Sequence, residues 1–285
     1  MSLYVEPAEN LAEAWLSTLE AVHDRGGDVV NVITTITDPS APETATIRTA
    51  LDAVLVDGHR AGTRVQGIET VAGTIFPADL YNAPGQVFDP ARGADTTEQL
   101  DGAAEDLYDA YLDMLPTLRT DPPNKSGTYF SRMISWPGKA PGGTNQLAAR
   151  INGLRKARVR NQHRRVIEDI VVGGEGEAAL DETTGLQVYA ATDRRTMGFP
   201  CLVHVDLTLF QDQLSMAAVY RHQLLVTKAY GNLLGLARLQ RFLADQSGYE
   251  VGELMVNATM ANAEHQTYTK SGVADLITAA RQEGP

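Results

Sequence analysis

The sequence predicts a mixed α/β protein, and three observations carry that prediction. First, the run from Cys201 to Leu209 alternates: Val203, Val205, Leu207 and Leu209 share a face with Cys201, while His204, Asp206 and Thr208 point the other way. Second, a turn at Gln211-Asp212-Gln213 and a returning strand pattern from Leu214 to Tyr220 make that run half of a hairpin. Third, apolar residues recur at helical spacing from Pro7 to His23, Glu98 to Leu115 and Gln223 to Ala244, interleaved with the β-patterned stretches. The expected architecture is a large mixed sheet flanked by helices. It forms one domain over residues 1–285, because no repeat, low-complexity tract or linker divides the chain.

Taken in order, Pro7 to His23 reads as the first helix. Glu6 and Glu9 sit at its positive end, and Leu11, Trp15, Leu16, Leu19 and Val22 form one stripe. Gly26-Gly27 ends it, and Val29 to Ile36 is β-branched enough for a strand. A turn at Asp38 to Pro42 precedes a helix from Thr46 to Val56, and Gly58 to Pro77 ends in a helix that contains Glu69. After a loop from Ala83 to Thr96, the helix Glu98 to Leu115 turns Tyr108, Tyr111, Leu112 and Leu115 inward. Pro116 ends or kinks it.

Asp121-Pro122-Pro123-Asn124 is a break, followed by Lys125 to Trp136 and a Pro/Gly-rich loop. Thr144 is then the expected N-cap of a helix reaching Leu154. Val166 to Val172 and Leu186 to Ala191 are expected strands around an acidic, glycine-rich loop. The long helix Gln223 to Ala244 should be central and nearly all buried, through Leu225, Leu233, Leu236, Leu239, Phe242 and Leu243. Ser247-Gly248 stops it, Val251 to Ala258 is a strand, and Ser271 caps a last helix to Arg281.

Composition narrows the function. A formal charge of −12 opposes non-specific binding to nucleic acid, although an arginine cluster can still reverse the field in one cleft. A single cysteine excludes an internal disulfide and fits a reducing cytosol. No apolar run approaches the ~18 residues that span a bilayer and no leader-like segment opens the chain, so the expectation is a cytoplasmic protein. No metal-ligand spacing stands out, and none is expected.

The residues that carry chemistry gather around Cys201. The hairpin and the following helix bring Tyr220, Arg221, His222 and Asn232 toward a thiol at a strand start. A thiolate there, its pKa lowered by the field of Arg221, would be a nucleophile. The plainer reading is a small buried hydrophobe, the usual fate of a lone cysteine. Glu69 is either a solvated surface acid or a proton-handling group. The basic run Lys156 to Arg165, with Arg164 and Arg165, is either a solvated face or a phosphate site, and Asp193-Arg194-Arg195 precedes the core stretch.

Pro200-Cys201, the hairpin, Tyr220-Arg221, Gly231-Asn232 and Tyr249-Glu250-Val251-Gly252-Glu253-Leu254 occur in an order that resembles the thymidylate synthase and pyrimidine nucleotide hydroxymethylase superfamily. Gly127 to Pro137 and Asn145-Gln146-Leu147 resemble its upstream segments. The resemblance implies a thymidylate-synthase-like sheet whose face is used for homodimerisation. It also implies a C5 one-carbon transferase, hydroxymethylase or methylase, in which a Cys201 thiolate adds to C6 of the base and makes C5 nucleophilic.

By the same resemblance Asn232 reads the base, favouring uracil over cytosine, and Glu69 and Tyr220 assist the chemistry. Arg221 serves the phosphate of its own subunit. Arg194-Arg195 or Arg164-Arg165 reach the partner's phosphate, and Asn262 and Glu264 stand where the nucleotide is held. Methylenetetrahydrofolate is the implied one-carbon donor, but the folate-facing aspartate position holds Met260, and the chain ends in AARQEGP rather than an apolar tail. Two alternatives therefore stay open. One is a folate-independent pyrimidine nucleotide enzyme; the other is a nucleotide-binding protein on the same scaffold without the chemistry.

Overall fold

The computed structural model describes residues 2–60, 65–137, 139–161, 164–165, 186–187 and 201–282. The expected strand at 166–172 and the arginines Arg194 and Arg195 lie outside them. Among the described residues eight strands form one mixed sheet. They are β1 (Leu3–Tyr4), β2 (Asp28–Ile36), β3 (Arg164–Arg165), β4 (Leu186–Gln187), β5 (Leu202–Phe210), β6 (Gln213–Tyr220), β7 (Gln223–Leu224) and β8 (Glu250–Asn262). The order is β1-β2-β8-β6-β5-β3, with β4 beside β5 and β7 beside β8. The helices are α1 (Leu11–Asp24), α2 (Ala45–Arg60), α3 (Ile68–Gly73), α4 (Ala94–Leu118), α5 (Tyr129–Ile134), α6 (Gln146–Val159), α7 (Tyr230–Ser247), α8 (His265–Tyr268) and α9 (Lys270–Arg281). The mixed α/β class is as the sequence predicts. The chain divides into two compact units, one of residues 1–73, 217–237 and 252–285, the other of 74–216 and 238–251.

In the first unit, α1 buries the expected stripe of Leu11, Trp15, Leu16, Leu19 and Val22. Its start falls later than Pro7, because the Asn10 side chain accepts the Glu13 N–H at 3.0 Å and sets the N-cap. The residues before it extend the sheet instead, with Ala8 bridging Ile36. Trp15 is fully buried, donates Nε1–H to the Leu225 carbonyl at 2.7 Å and meets the edge of Tyr230 at 5.5 Å. Along β2 the buried residues are Val29, then Val32, Thr34 and Ile36. The phase shifts at Asn31, whose φ of 53° is one asparagine tolerates. β8 pairs antiparallel with β2 and runs four residues beyond Ala258, to Asn262.

The helix expected from Gln223 begins later, at Tyr230. Gln223 and Leu224 pair in parallel with Ala261 and Asn262, and Leu225–Ala229 is a π-helical turn leading into α7. Gly231 is required here. A Cβ on it would lie 2.6 Å from Val71 Cβ and 2.8 Å from the Ile68 carbonyl oxygen, so only glycine allows α7 this close to α3. The last helix is capped by Thr269 rather than Ser271, through the Gly272 N–H at 3.1 Å.

In the second unit, Phe76, Tyr81, Tyr108, Phe130 and Phe242 make a cluster of aromatic contacts, several of them edge-to-face. The β5–β6 hairpin turns on Gln211 and Asp212, both left-handed at φ 50° and 68°, as a two-residue connection between right-twisted strands demands. Helix α4 runs two residues past Pro116, and α6 is capped by Asn145, one residue after the expected Thr144. Asn145 wins because its carboxamide oxygen reaches the Ala148 N–H at 3.0 Å.

Candidate functional site

In the second unit the thiol-bearing residue and a tyrosine are fixed together. Cys201 immediately precedes β5 and is half-buried, not sealed. The Tyr129 hydroxyl oxygen accepts the backbone N–H of Cys201 at 3.2 Å and of Leu202 at 3.4 Å. Tyr129 is the first residue of α5, whose start is fixed by a capping box: Thr128 Oγ1 accepts the Ser131 N–H at 3.1 Å, and Ser131 Oγ accepts the Thr128 N–H at 2.9 Å. Thr128 Oγ1 also meets the Tyr111 hydroxyl at 2.6 Å, tying this turn to α4. The phenol is therefore held by rigid elements.

Burial pushes the Tyr129 phenol up to about 12, the neighbouring Cys201 adds to the rise, and the two N–H groups and Arg132 oppose it. At neutral pH it is a protonated phenol whose oxygen is engaged by two donors. Arg132 is nearly fully buried, and its Nη2 donates to the Ser126 carbonyl at 3.0 Å. On β5 the half-buried His204 Nε2 lies 2.8 Å from Asp206 Oδ1, so imidazole and carboxylate orient each other on one strand face.

The first unit holds most of the other described candidates, while Arg164 and Arg165 form β3 in the second. Glu69 is half exposed on α3, and its Oε1 accepts Arg48 Nη2 at 2.5 Å; Arg48 Nη1 also reaches both carboxylate oxygens of Glu43 at 3.2 Å. The Tyr230 hydroxyl donates to Glu43 Oε2 at 2.5 Å, and burial followed by this carboxylate raises its pKa. Tyr220 ends β6 with its ring fully buried, Arg221 is half-buried, and Asn232 is 6% exposed on the first turn of α7. Asn262 donates Nδ2–H to Asp28 Oδ1 at 2.5 Å.

Glu264 has both carboxylate oxygens occupied. Oε2 accepts the N–H of Val226 at 2.8 Å and of Thr227 at 2.7 Å, and Oε1 accepts the Thr227 hydroxyl at 2.9 Å. It is the anion at the N-terminal end of the segment leading into α7. Burial raises its pKa, and the N–H and hydroxyl donors of Thr227 and Val226 together with Lys228 pull it back. Met260 stands in β8 opposite Val30.

Sequence reasoning missed Tyr129, Glu43, Arg48 and the His23–His265 pair described below. Thr128 followed by Ser131 is a detectable helix-start signal for Tyr129, but its pairing with Cys201 joins residues 72 apart and has no local signature. Among the described residues no group of three or more His, Cys, Asp or Glu is placed to hold a metal ion, and no helix is long and apolar enough to cross a membrane. No protein-family model matches the chain, and no curated protein matches its sequence.

Proposed function

We propose that this protein is a pyrimidine nucleotide C5 one-carbon transferase, a hydroxymethylase or methylase, acting through Cys201. The observation that carries the reading is the Tyr129 hydroxyl bound to the backbone N–H groups of Cys201 and Leu202, at a cysteine residue that is half-buried. A thiolate adding to C6 of a pyrimidine places negative charge on the ring carbonyl and C5. A protonated phenol held at the Cys201 backbone can stabilise that charge by donating to the carbonyl oxygen, or deliver a proton to C5. The sequence resemblance assigns the reading of the base to Asn232 and the phosphate to Arg221.

Folate fits less well. The thioether of Met260 offers no carboxylate to the donor edge of a pterin, so no step is assigned to methylenetetrahydrofolate. The resemblance also implies a homodimer of cytoplasmic protein in which the second copy covers the outer sheet face. In the first unit that face carries half-buried Ile33, Thr35, Ala217, Val219, Met255 and Asn257. Beside them Tyr4, 74% exposed, lies in register with Ile33. Apolar residues on a second sheet face need cover.

The test of the activity is exchange at C5. Uridine and cytidine nucleotides tritiated at C5 should lose label to solvent with wild-type protein and keep it with Cys201→Ala. Tight nucleotide binding with no exchange would leave a binding protein on this scaffold.

A further inference from the structure

We propose that α8 is a strap released by acid: two protons on the His23–His265 pair free the segment between Glu264 and Thr269 from α1 while the rest of the unit stays folded. The segment is held at its ends and free to move in its middle. None of its residues from His265 to Tyr268 is buried. The two anchors lie just outside it. The Glu264 carboxylate is bound to Val226 and Thr227, and Thr269 Oγ1 caps α9 by accepting the Gly272 N–H at 3.1 Å. Both anchors take left-handed backbone, Glu264 at φ 58° and ψ 35°, Thr269 at φ 61° and ψ 159°. The second conformation is almost confined to glycine, and a β-branched residue keeps it only while its surroundings impose it.

Between the anchors, two rings hold the segment down. His265 Nε2 lies 3.0 Å from His23 Nδ1 in the last turn of α1, and the His265 ring fills the space that a side chain on Gly27 would need. Tyr268 lies against Gly58 of α2, with its hydroxyl 3.5 Å from where a Cβ there would sit. The N–H groups of Thr267 and Tyr268 turn back to the Glu264 carbonyl at 2.9 Å, which ties the strap to its own anchor and not to α1. The histidine bond makes that tie.

Protons act on it in two steps. The first is tolerated, because a protonated imidazole donates to a neutral one. The second leaves two donors face to face with nothing to accept. Burial lowers the His23 pKa most, then the charge of His265; Asp24 on α1 opposes them and Lys270 on α9 adds to them. Glu264 is turned to Val226 and Thr227, and Asp28 at the start of β2 to Asn262. The closed strap therefore takes the second proton less readily than the open one, so it is favoured at neutral pH and lost as pH falls. Opening separates the two charges and lets Thr269 relax, and both changes favour the same state. It bares Gly27 and the Gly58 side of α2.

The test is amide hydrogen exchange on the full chain between pH 7.5 and 5, each rate divided by the unfolded-chain rate at the same pH. The Thr267 and Tyr268 amides should lose protection by about tenfold or more, with Val256 and the other buried residues of β8 unchanged. Ring titration by NMR should show the pair taking protons in two coupled steps, the lower one coinciding with that loss. His23→Gln offers a donor and an acceptor at every pH and should keep the strap closed down to pH 5. Lys270→Glu, an exposed substitution, should move the opening to higher pH by about half a unit, whereas a merely structural contact would open at the same pH. Protection at Thr267 and Tyr268 that holds to pH 5, a loss that arrives together with that of β8, or an unchanged loss in His23→Gln would overturn the proposal.

Discussion

The phenolic oxygen of Tyr129 accepts the N–H of Cys201 at 3.2 Å, so the residue that opens α5 is fixed to the residue that opens into β5. This bond makes Tyr129 a positioning group for the thiol segment, and the hydroxyl that accepts it still carries its own proton. Tyr129→Phe keeps the ring and removes both functions. The expected outcome is a loss of C5 exchange of about 10²-fold or more with nucleotide affinity nearly unchanged, since general acid–base groups contribute that range. Stability should fall by only about 1 kcal/mol, because two backbone N–H groups beside a half-buried segment lose one acceptor. Equal exchange rates in the variant and the wild type would remove Tyr129 from the chemistry.

His23 Nδ1 lies 3.0 Å from His265 Nε2, with the rings edge-on at 4.9 Å, joining the last turn of α1 to α8. The His265 ring packs where a Cβ on Gly27 would sit, only 2.5 Å from its Nδ1. Such a bond needs one donor and one acceptor, and a doubly protonated pair presents two donors. Burial lowers the His23 pKa, followed by the charge of His265; Lys270 lowers it further and Asp24 opposes.

A lowered folded-state pKa means the unfolded chain binds the proton more readily. The stabilisation is therefore complete above the unfolded histidine range, about 6.5, and is lost as pH falls through the folded value. Melting temperatures measured from pH 7.5 to 5 should drop on the acid side, and His23→Gln should flatten that slope. An unchanged slope in the variant would place the acid sensitivity elsewhere.

Glu264 caps the segment entering α7 with three accepted bonds. Glu264→Ala strands the buried Val226 N–H and the part-buried Thr227 N–H and should cost about 2–3 kcal/mol; Glu264→Gln keeps an acceptor but loses the charge, and should cost about 1 kcal/mol. Denaturant titration reads both. The order is the test, because a glutamate kept only to hold a ligand would leave stability unchanged in either variant.

The covering of the outer sheet face predicts a homodimer in light scattering at micromolar concentration. Tyr4→Asp and Ile33→Asp together should shift it to monomer without unfolding the chain, since these side chains are register partners on the sheet face a second copy would cover. A wild-type monomer at that concentration would rule out the assembly.

The fold was legible wherever a local period decides it. The α1 stripe, the β5–β6 hairpin with its turn at Gln211 and Asp212, and the buried leucines of α7 all follow from spacing over a few turns or a few alternations. What spacing misassigned was settled by distant partners. Gln223 and Leu224 continue a helical pattern, yet they pair with Ala261 and Asn262 of a strand that comes nearly forty residues later. Asn10 displaces Pro7 as the start of α1 because one side-chain bond outweighs a general preference. The site was legible only as single residues. Cys201 stands out as a lone thiol at a strand start, but Tyr129 is invisible beside it until the chain is folded.

The proposed activity turns on attack of the Cys201 sulfur on C6 of a pyrimidine nucleotide. The most direct measurement is the intact mass of the protein after incubation with 5-fluorouridine and 5-fluorocytidine monophosphates and their deoxy forms, with and without methylenetetrahydrofolate. A covalent adduct of one nucleotide per chain is expected, mapped by peptide analysis to Cys201 and absent in Cys201→Ala. Unmodified protein under every one of these conditions, with the nucleotides shown to bind, would contradict it.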